Sequence, residues 1–258
     1  MHKLYFMRIA YEIVGDRAKA VALIGEDVKN PKKAAKEIME RHKAVKSVLQ
    51  KTDKRQGEFR LYPYKLIKGN RDTEVIHKEY NYLIKVDPKK VYFSPREGTE
   101  RQRIVELVKR GERILVMFSG AAPYAIAIGK KYPQNQIIAI EINLKAVEYA
   151  QKNVRLNNLT NIKNICWDVR EARGLGKFDR IIMPLPETAI DYLDEAVLHS
   201  KKGTVIHLYG FAKDFKELEL KVKEKAYIYN FKHKIVGRQK VLPYAPRVSK
   251  MRLDIKII

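Results

Sequence analysis

The chain has 258 residues, 45% of them hydrophobic, enough to bury either one large core or a small and a medium one. Lys and Arg number 53 against 30 Asp and Glu, a formal net charge of +23, and an excess of that size attracts polyanions; nucleic acid is the expected partner. The single cysteine, Cys166, excludes an internal disulfide framework and any Cys-based zinc site, so no metal is expected. No apolar run reaches the ~18–20 residues that span a bilayer and no signal-peptide core opens the sequence, so a cytoplasmic protein with no membrane contact and no obligate protein partner is expected.

Short apolar runs at 4–14 and 19–24, bounded by Gly15-Asp16 and Gly25-Glu26, predict a pair of strands. Asn30 followed by Pro31 marks a helix start, because Asn accepts from freed backbone N–H groups and proline loses nothing at the first helical position. Ala34, Ala35, Ile38, Met39 and His42 recur at helical spacing and form its inner face, with Lys32 to Lys46 supplying the basic remainder. Residues 51–60, with Lys54 and Arg55, read as an exposed basic loop suited to RNA phosphates. Strands are expected at 59–62 and 80–86. Together residues 1–88 read as a small α/β accessory domain that touches RNA.

From about residue 100 strands alternate with helices: a helical stretch through 104–108, then strands at 113–118, 136–142, 162–166, 178–183 and 203–209. Helices at 124–131, 146–157, 190–198 and 215–225 separate or follow them, and the chain ends with strands at 227–234 and 252–258. Such alternation implies a mostly parallel sheet covered by helices on both faces, with ligands at the carboxyl ends of the strands. The expected fold class is therefore α/β, with a Rossmann-like domain over 89–258.

Three strand ends carry candidate chemistry. Phe118-Ser119-Gly120, with Ala122 and Tyr124, forms a small-residue turn ahead of a helix, where backbone can approach a ligand. Glu141-Ile142-Asn143 places a carboxylate after the second strand, where it can accept both hydroxyls of a ribose. Asp168-Val169 places another after the third, where it can accept from an adenine amino group. The three together indicate a nucleoside cofactor. NAD is disfavoured because no full G-x-G-x-x-G is present, and no Walker-type phosphate cradle exists. S-adenosylmethionine, which carries no phosphate, needs neither.

The run Val91 to Arg96, continued by Gly98-Thr99-Glu100-Arg101, resembles the archaeal–eukaryotic type tRNA (guanine37-N1)-methyltransferases. So do Gly69-Asn70-Arg71, Glu141-Ile142-Asn143, Asp168-Val169-Arg170, Met183 to Pro186, Val205 to Tyr209 and Tyr244-Ala245-Pro246-Arg247. The resemblance implies a class I S-adenosylmethionine-dependent methyltransferase domain, the methyl donor itself, and tRNA as acceptor at guanosine 37. It implies Arg96 as the catalytic arginine, stabilising charge on the guanine O6, with Pro184, Leu185 and Pro186 as the catalytic loop. Glu141 and Asp168 become ribose and adenine ligands; Arg247 and Arg101 become RNA contacts. This chain has Val116, Ala122 and Pro184 where the family has an acid, a glycine and an asparagine, and the family's usual N-terminal domain is expected to be absent. The related aminocarboxypropyltransferases of wyosine biosynthesis, methylation of a wyosine precursor, and a non-catalytic RNA-binding protein are the alternatives. Glu100 and Glu187 are both candidates for the general base.

Overall fold

The computed structural model describes residues 10–53 and 61–258, so the expected RNA contacts Lys54 and Arg55 lie outside the described residues. The chain divides into two compact units, Met1–Gly98 and Thr99–Ile258. No helix among the described residues is long and apolar enough to cross a membrane.

The first unit is built on a four-stranded sheet of β1 (Tyr11–Gly15), β2 (Ala20–Ile24), β3 (Val45–Lys51) and β4 (Tyr64–Gly69), in that spatial order. Helix α1 (Pro31–Arg41) connects the parallel pair β2 and β3. It starts where the sequence predicts, with the Asn30 side chain accepting from Lys33 N at 3.2 Å and Pro31 at the first position. Ala34, Ala35 and Ile38 are buried, and Ala35 and Ile38 pack with Ala20, Ala22, Ile24, Val45 and Val48. A hairpin of β5 (Val75–Glu79) and β6 (Tyr82–Val86) lies against β1 and β2. His77 Nδ1 sits 2.9 Å from Gly15 O, and the His77 ring meets Phe93 edge-on. A single 3₁₀ turn at Pro95–Glu97 packs beside β1, which keeps the stretch 89–98 with this unit.

The second unit starts at the second residue of α2 (Gly98–Leu107) and contains β7 (Arg113–Val116), α3 (Pro123–Lys131), β8 (Gln136–Glu141), α4 (Leu144–Leu156) and β9 (Ile162–Cys166). It continues with β10 (Phe178–Met183), α5 (Leu193–Leu198), β11 (Ser200–Ala212), α6 (Phe215–Ile228), β12 (His233–Ala245) and β13 (Val248–Ile257). The seven strands lie in the order β12-β13-β11-β10-β7-β8-β9; only β13 runs against the others. This is the α/β doubly wound arrangement, with strand order reversing between β7 and β10. Helices α3 and α4 pack on β8 and β9, while α5 and α6 pack on β11. The core joins Leu115, Ile140, Phe178, Ile181, Ile206, Leu208, Leu253 and Ile255.

The C-terminal third departs from expectation. The strand expected at 227–234 is displaced: α6 continues through Ile228, and the sixth strand of this unit runs from His233 to Ala245. Helix α6 keeps its period past Lys225 because Ala226 is buried, whereas the strand's Gly237 and Pro243 disguise it as loop. Gly237 stands at a bulge where an added Cβ would meet Asp254 Oδ2 at 2.2 Å.

Candidate functional site

Because β7 to β11 run parallel, the turns that follow them share one edge of the second unit. The turn after β7 is unusual: Phe118, Gly120 and Ala122 all have positive φ, at 54°, 56° and 63°. Left-handed backbone at an alanine costs on the order of 1 kcal/mol. The neighbours hold it there. Ser119 N donates to Ile140 O, and Ala122 N donates to Ser119 O, both at 2.9 Å. The Glu141 carboxylate clasps the turn, with Oε2 accepting from Gly120 N at 2.7 Å and Oε1 from Asn143 N at 2.9 Å. Burial pushes the Glu141 carboxyl above its ordinary value, against the lowering effect of those backbone donors. Each carboxylate oxygen keeps a second lone pair, which suits it to accept from paired hydroxyls as well.

Asn143 caps α4, its Oδ1 accepting from Lys145 N at 2.9 Å. Beside it the end of β9 is tied to the end of β8: Trp167 N donates to Glu141 O at 3.2 Å and Cys166 Sγ to Ile142 O at 3.7 Å. Ile142 and Trp167 are 40% and 45% exposed, an apolar pair left uncovered at the strand ends. Asp168 follows, capping a 3₁₀ turn at Val169–Glu171 and gripped by the Arg170 guanidinium. That hydrogen bond to Arg170 holds the Asp168 carboxyl below the usual range despite partial burial. Val169 is buried against the core.

After β10, Pro184-Leu185-Pro186 turns over the same edge. Leu185 O accepts from Thr188 N and Ala189 N, while Pro186 O accepts from Phe211 N at 3.2 Å. Phe118 leans edge-on against Tyr192 with ring centroids 5.0 Å apart. The structure thus brings Phe118, Ser119, Gly120, Ala122, Glu141, Ile142, Asn143, Asp168, Val169 and the 184–186 loop to one edge. Tyr124 does not join them: its side chain is buried and its hydroxyl donates to Tyr209 Oη at 3.3 Å.

The three candidate arginines that lie among the described residues differ. Arg247, at positive φ in the turn between β12 and β13, is exposed. Arg101, expected to meet RNA, is only 2% exposed and is buried in the fold instead. Its place on the inner side of α2 could not be read from a basic residue in a run of charges. Arg96 belongs to the first unit, half-exposed, with its Nη1 3.7 Å from Glu12 Oε1. A surface pair of that length contributes ~0–1 kcal/mol, which leaves the guanidinium available for another partner.

Sequence reasoning missed a buried polar chain in the second unit. Glu100 accepts from Tyr209 Oη at 2.8 Å and pairs with Arg252, whose Nε donates to Asp254 at 2.8 Å. His207 Nδ1 meets Asp254 Oδ1 at 2.6 Å, and Arg180 donates to His207 Nε2 at 2.6 Å and to Glu112. Arginine has no acceptor, so His207 is neutral with its proton on Nδ1. Burial depresses the His207 imidazole. It would also raise Asp254, but contacts with His207 and Arg252 outweigh this and hold that carboxyl at about 2. The period-2 spacing of His207 with Tyr209 and of Arg252 with Asp254 was the available signal.

Residues 75–235 match the family model described as the TRM5/TYW2 methyltransferase domain. A tRNA (guanine(37)-N(1))-methyltransferase Trm5b of Pyrococcus abyssi is 35% identical over 98% of this chain and 76% of its own length. A tRNA(Phe) (4-demethylwyosine(37)-C(7)) aminocarboxypropyltransferase of Methanocaldococcus jannaschii is 30% identical over 97% and 98%. The structure described as the complex of aTrm5 and tRNALeu superposes with a TM-score of 0.85 at 35% identity, covering 98% of this chain and 73% of that one. With the matched domain spanning most of its length and relatives of this identity aligned nearly end to end, the chain belongs to the TRM5/TYW2 methyltransferase family.

Proposed function

We propose that the protein transfers the methyl group of S-adenosylmethionine to N1 of the guanosine at position 37 of tRNA. The observation that carries this reading is the Glu141 clasp: a carboxylate bound to a left-handed turn, beside uncovered Ile142 and Trp167 and the acid Asp168. That donor set fits the cofactor. Glu141 takes the ribose hydroxyls, the exposed apolar strand ends take the adenine faces, and Asp168 takes its amino group. Nothing at the turn demands a phosphate. The bound cofactor supplies an electrophilic methyl on a sulfonium.

The 184–186 loop complements guanine. Two of its three residues are prolines without N–H groups, and with Leu185 O already accepting twice, Pro184 O and the second lone pair of Pro186 O are what the loop has to accept from guanine N1–H and N2–H. The role of Arg96, stabilising negative charge on O6 as N1 loses its proton, is carried over from the resemblance and fits a guanidinium. Arg247 serves as an RNA contact; Arg101, being buried, does not. Over nearly the full chain the 35% identity to a guanosine-N1 methyltransferase favours methyl transfer. The 30% identity to an aminocarboxypropyltransferase, with Pro184 in place of the loop amide, makes that transfer the second reading. Replacing Arg96 by Ala tests the assignment: turnover falls while cofactor affinity is kept, and a large loss of cofactor affinity would contradict it.

A further inference from the structure

The last residues of β11 project past the end of β10, since Met183 pairs with Leu208 and the strand continues to Ala212. Phe211 in this extension is fastened to the 184–186 loop by its N–H to Pro186 O. On its ring lies Tyr244, from the end of β12, with centroids 3.8 Å apart and planes 23° from parallel. Both rings stand on paired backbone: Phe211 pairs with Lys250 and Ala212 with Ser249, and Pro243 pairs with Ser249 on the other side of β13. Yet Tyr244 is 58% exposed, so its ring is stacked on Phe211 and largely open to solvent. Three residues on, the exposed Arg247 occupies the turn.

A flat aromatic fixed beside the 184–186 loop, with a cation at hand and a chain charge of +23, matches the demands of single-stranded RNA. Unstacked bases are held on aromatic faces and their phosphates by arginine. We infer that Tyr244, backed by Phe211, is a stacking platform for one unpaired base of the RNA, flanking the guanine that reacts. This rests on the RNA reading above and adds a positioning residue to it. An aromatic pair that merely braced the ribbon would instead affect stability alone.

The test uses an anticodon stem-loop RNA carrying 2-aminopurine singly at each loop position, with the full chain and its Tyr244→Phe, Tyr244→Leu and Tyr244→Ala variants. Leucine keeps apolar volume but removes the π-face, so it separates stacking from packing. The expected result is a position-specific fluorescence change with the native chain and Tyr244→Phe. With Leu or Ala that change is lost and the RNA Kd rises about 5- to 150-fold, the range for one stacked base, while cofactor affinity and urea midpoint hold for Tyr244→Leu. No position-specific change with the native chain, or unaltered Kd in both variants, overturns the platform. Methylation without the fluorescence change sinks the platform alone; the change without methylation sinks the transfer reading alone.

Discussion

Replacing Glu141 by Gln preserves the side chain's shape and turns one acceptor oxygen into an amide donor. Both oxygens now receive a backbone N–H, at 2.7 and 2.9 Å, so whichever way the amide faces, one of Gly120 and Asn143 loses its acceptor. A hydrogen bond to a charged group contributes about 1.5–3 kcal/mol, and the ribose contact weakens by the same change. Cofactor affinity should therefore fall about 10- to 150-fold, measured by calorimetric titration of S-adenosylmethionine. Acid does the same to the native chain. Burial raises the Glu141 carboxyl, so affinity should decline on acidification at a pH above that of an ordinary glutamate, and the Gln variant should lack this inflection. Stability carries the opposite sign: a raised carboxyl favours folding at low pH, and that contribution is lost as pH rises through the folded value. A Gln variant that binds cofactor within about twofold of native, with the inflection intact, would refute the clasp.

Ala122→Val should disrupt the turn, because a β-branched residue at φ 63° with no exposed surface has neither the backbone nor the room; a loss of about 2 kcal/mol or more in urea unfolding, with weakened cofactor binding, is expected. His207 is neutral in the fold and protonates when unfolded, so stability should drop as pH falls below ~6.5, by about 1.4 kcal/mol per pH unit for this proton. His207→Gln should remove that component of the slope, and unchanged slopes in the two proteins would reject the buried network as described. Gly237→Ala places a Cβ 2.2 Å from Asp254 Oδ2; a lowered unfolding midpoint is expected, larger than that of Val236→Ala on the exposed neighbour.

The parallel core strands were legible because their runs, such as Ile114 to Val116, are apolar on both faces, as doubly covered strands must be. The cap at Asn30 and the acids Glu141 and Asp168 were legible for local reasons, since a cap and a strand-end carboxylate each announce themselves within a few residues. Strands β3, β4 and β5 were not. Val45 to Lys51 continues a basic helical pattern, and its role as a strand comes from pairing with β2 and β4. Likewise β12 alternates half-buried and exposed side chains and is interrupted by Gly237 and Pro243, so its register exists only through β13. The polar chain from Glu112 to Glu100 was hidden because its members stand far apart in sequence. The stack of Phe211 on Tyr244 was hidden for the same reason, although Tyr244 itself had been singled out by resemblance.

The decisive measurement supplies unmodified tRNA and S-adenosylmethionine labelled either on the methyl or on the carboxyl carbon, and follows label into the RNA. Methyl label at N1 of guanosine 37, with no carboxyl label, is the expected result. Carboxyl label in the RNA would make the protein an aminocarboxypropyltransferase and contradict the proposed reaction, while leaving the Glu141 clasp as its cofactor site.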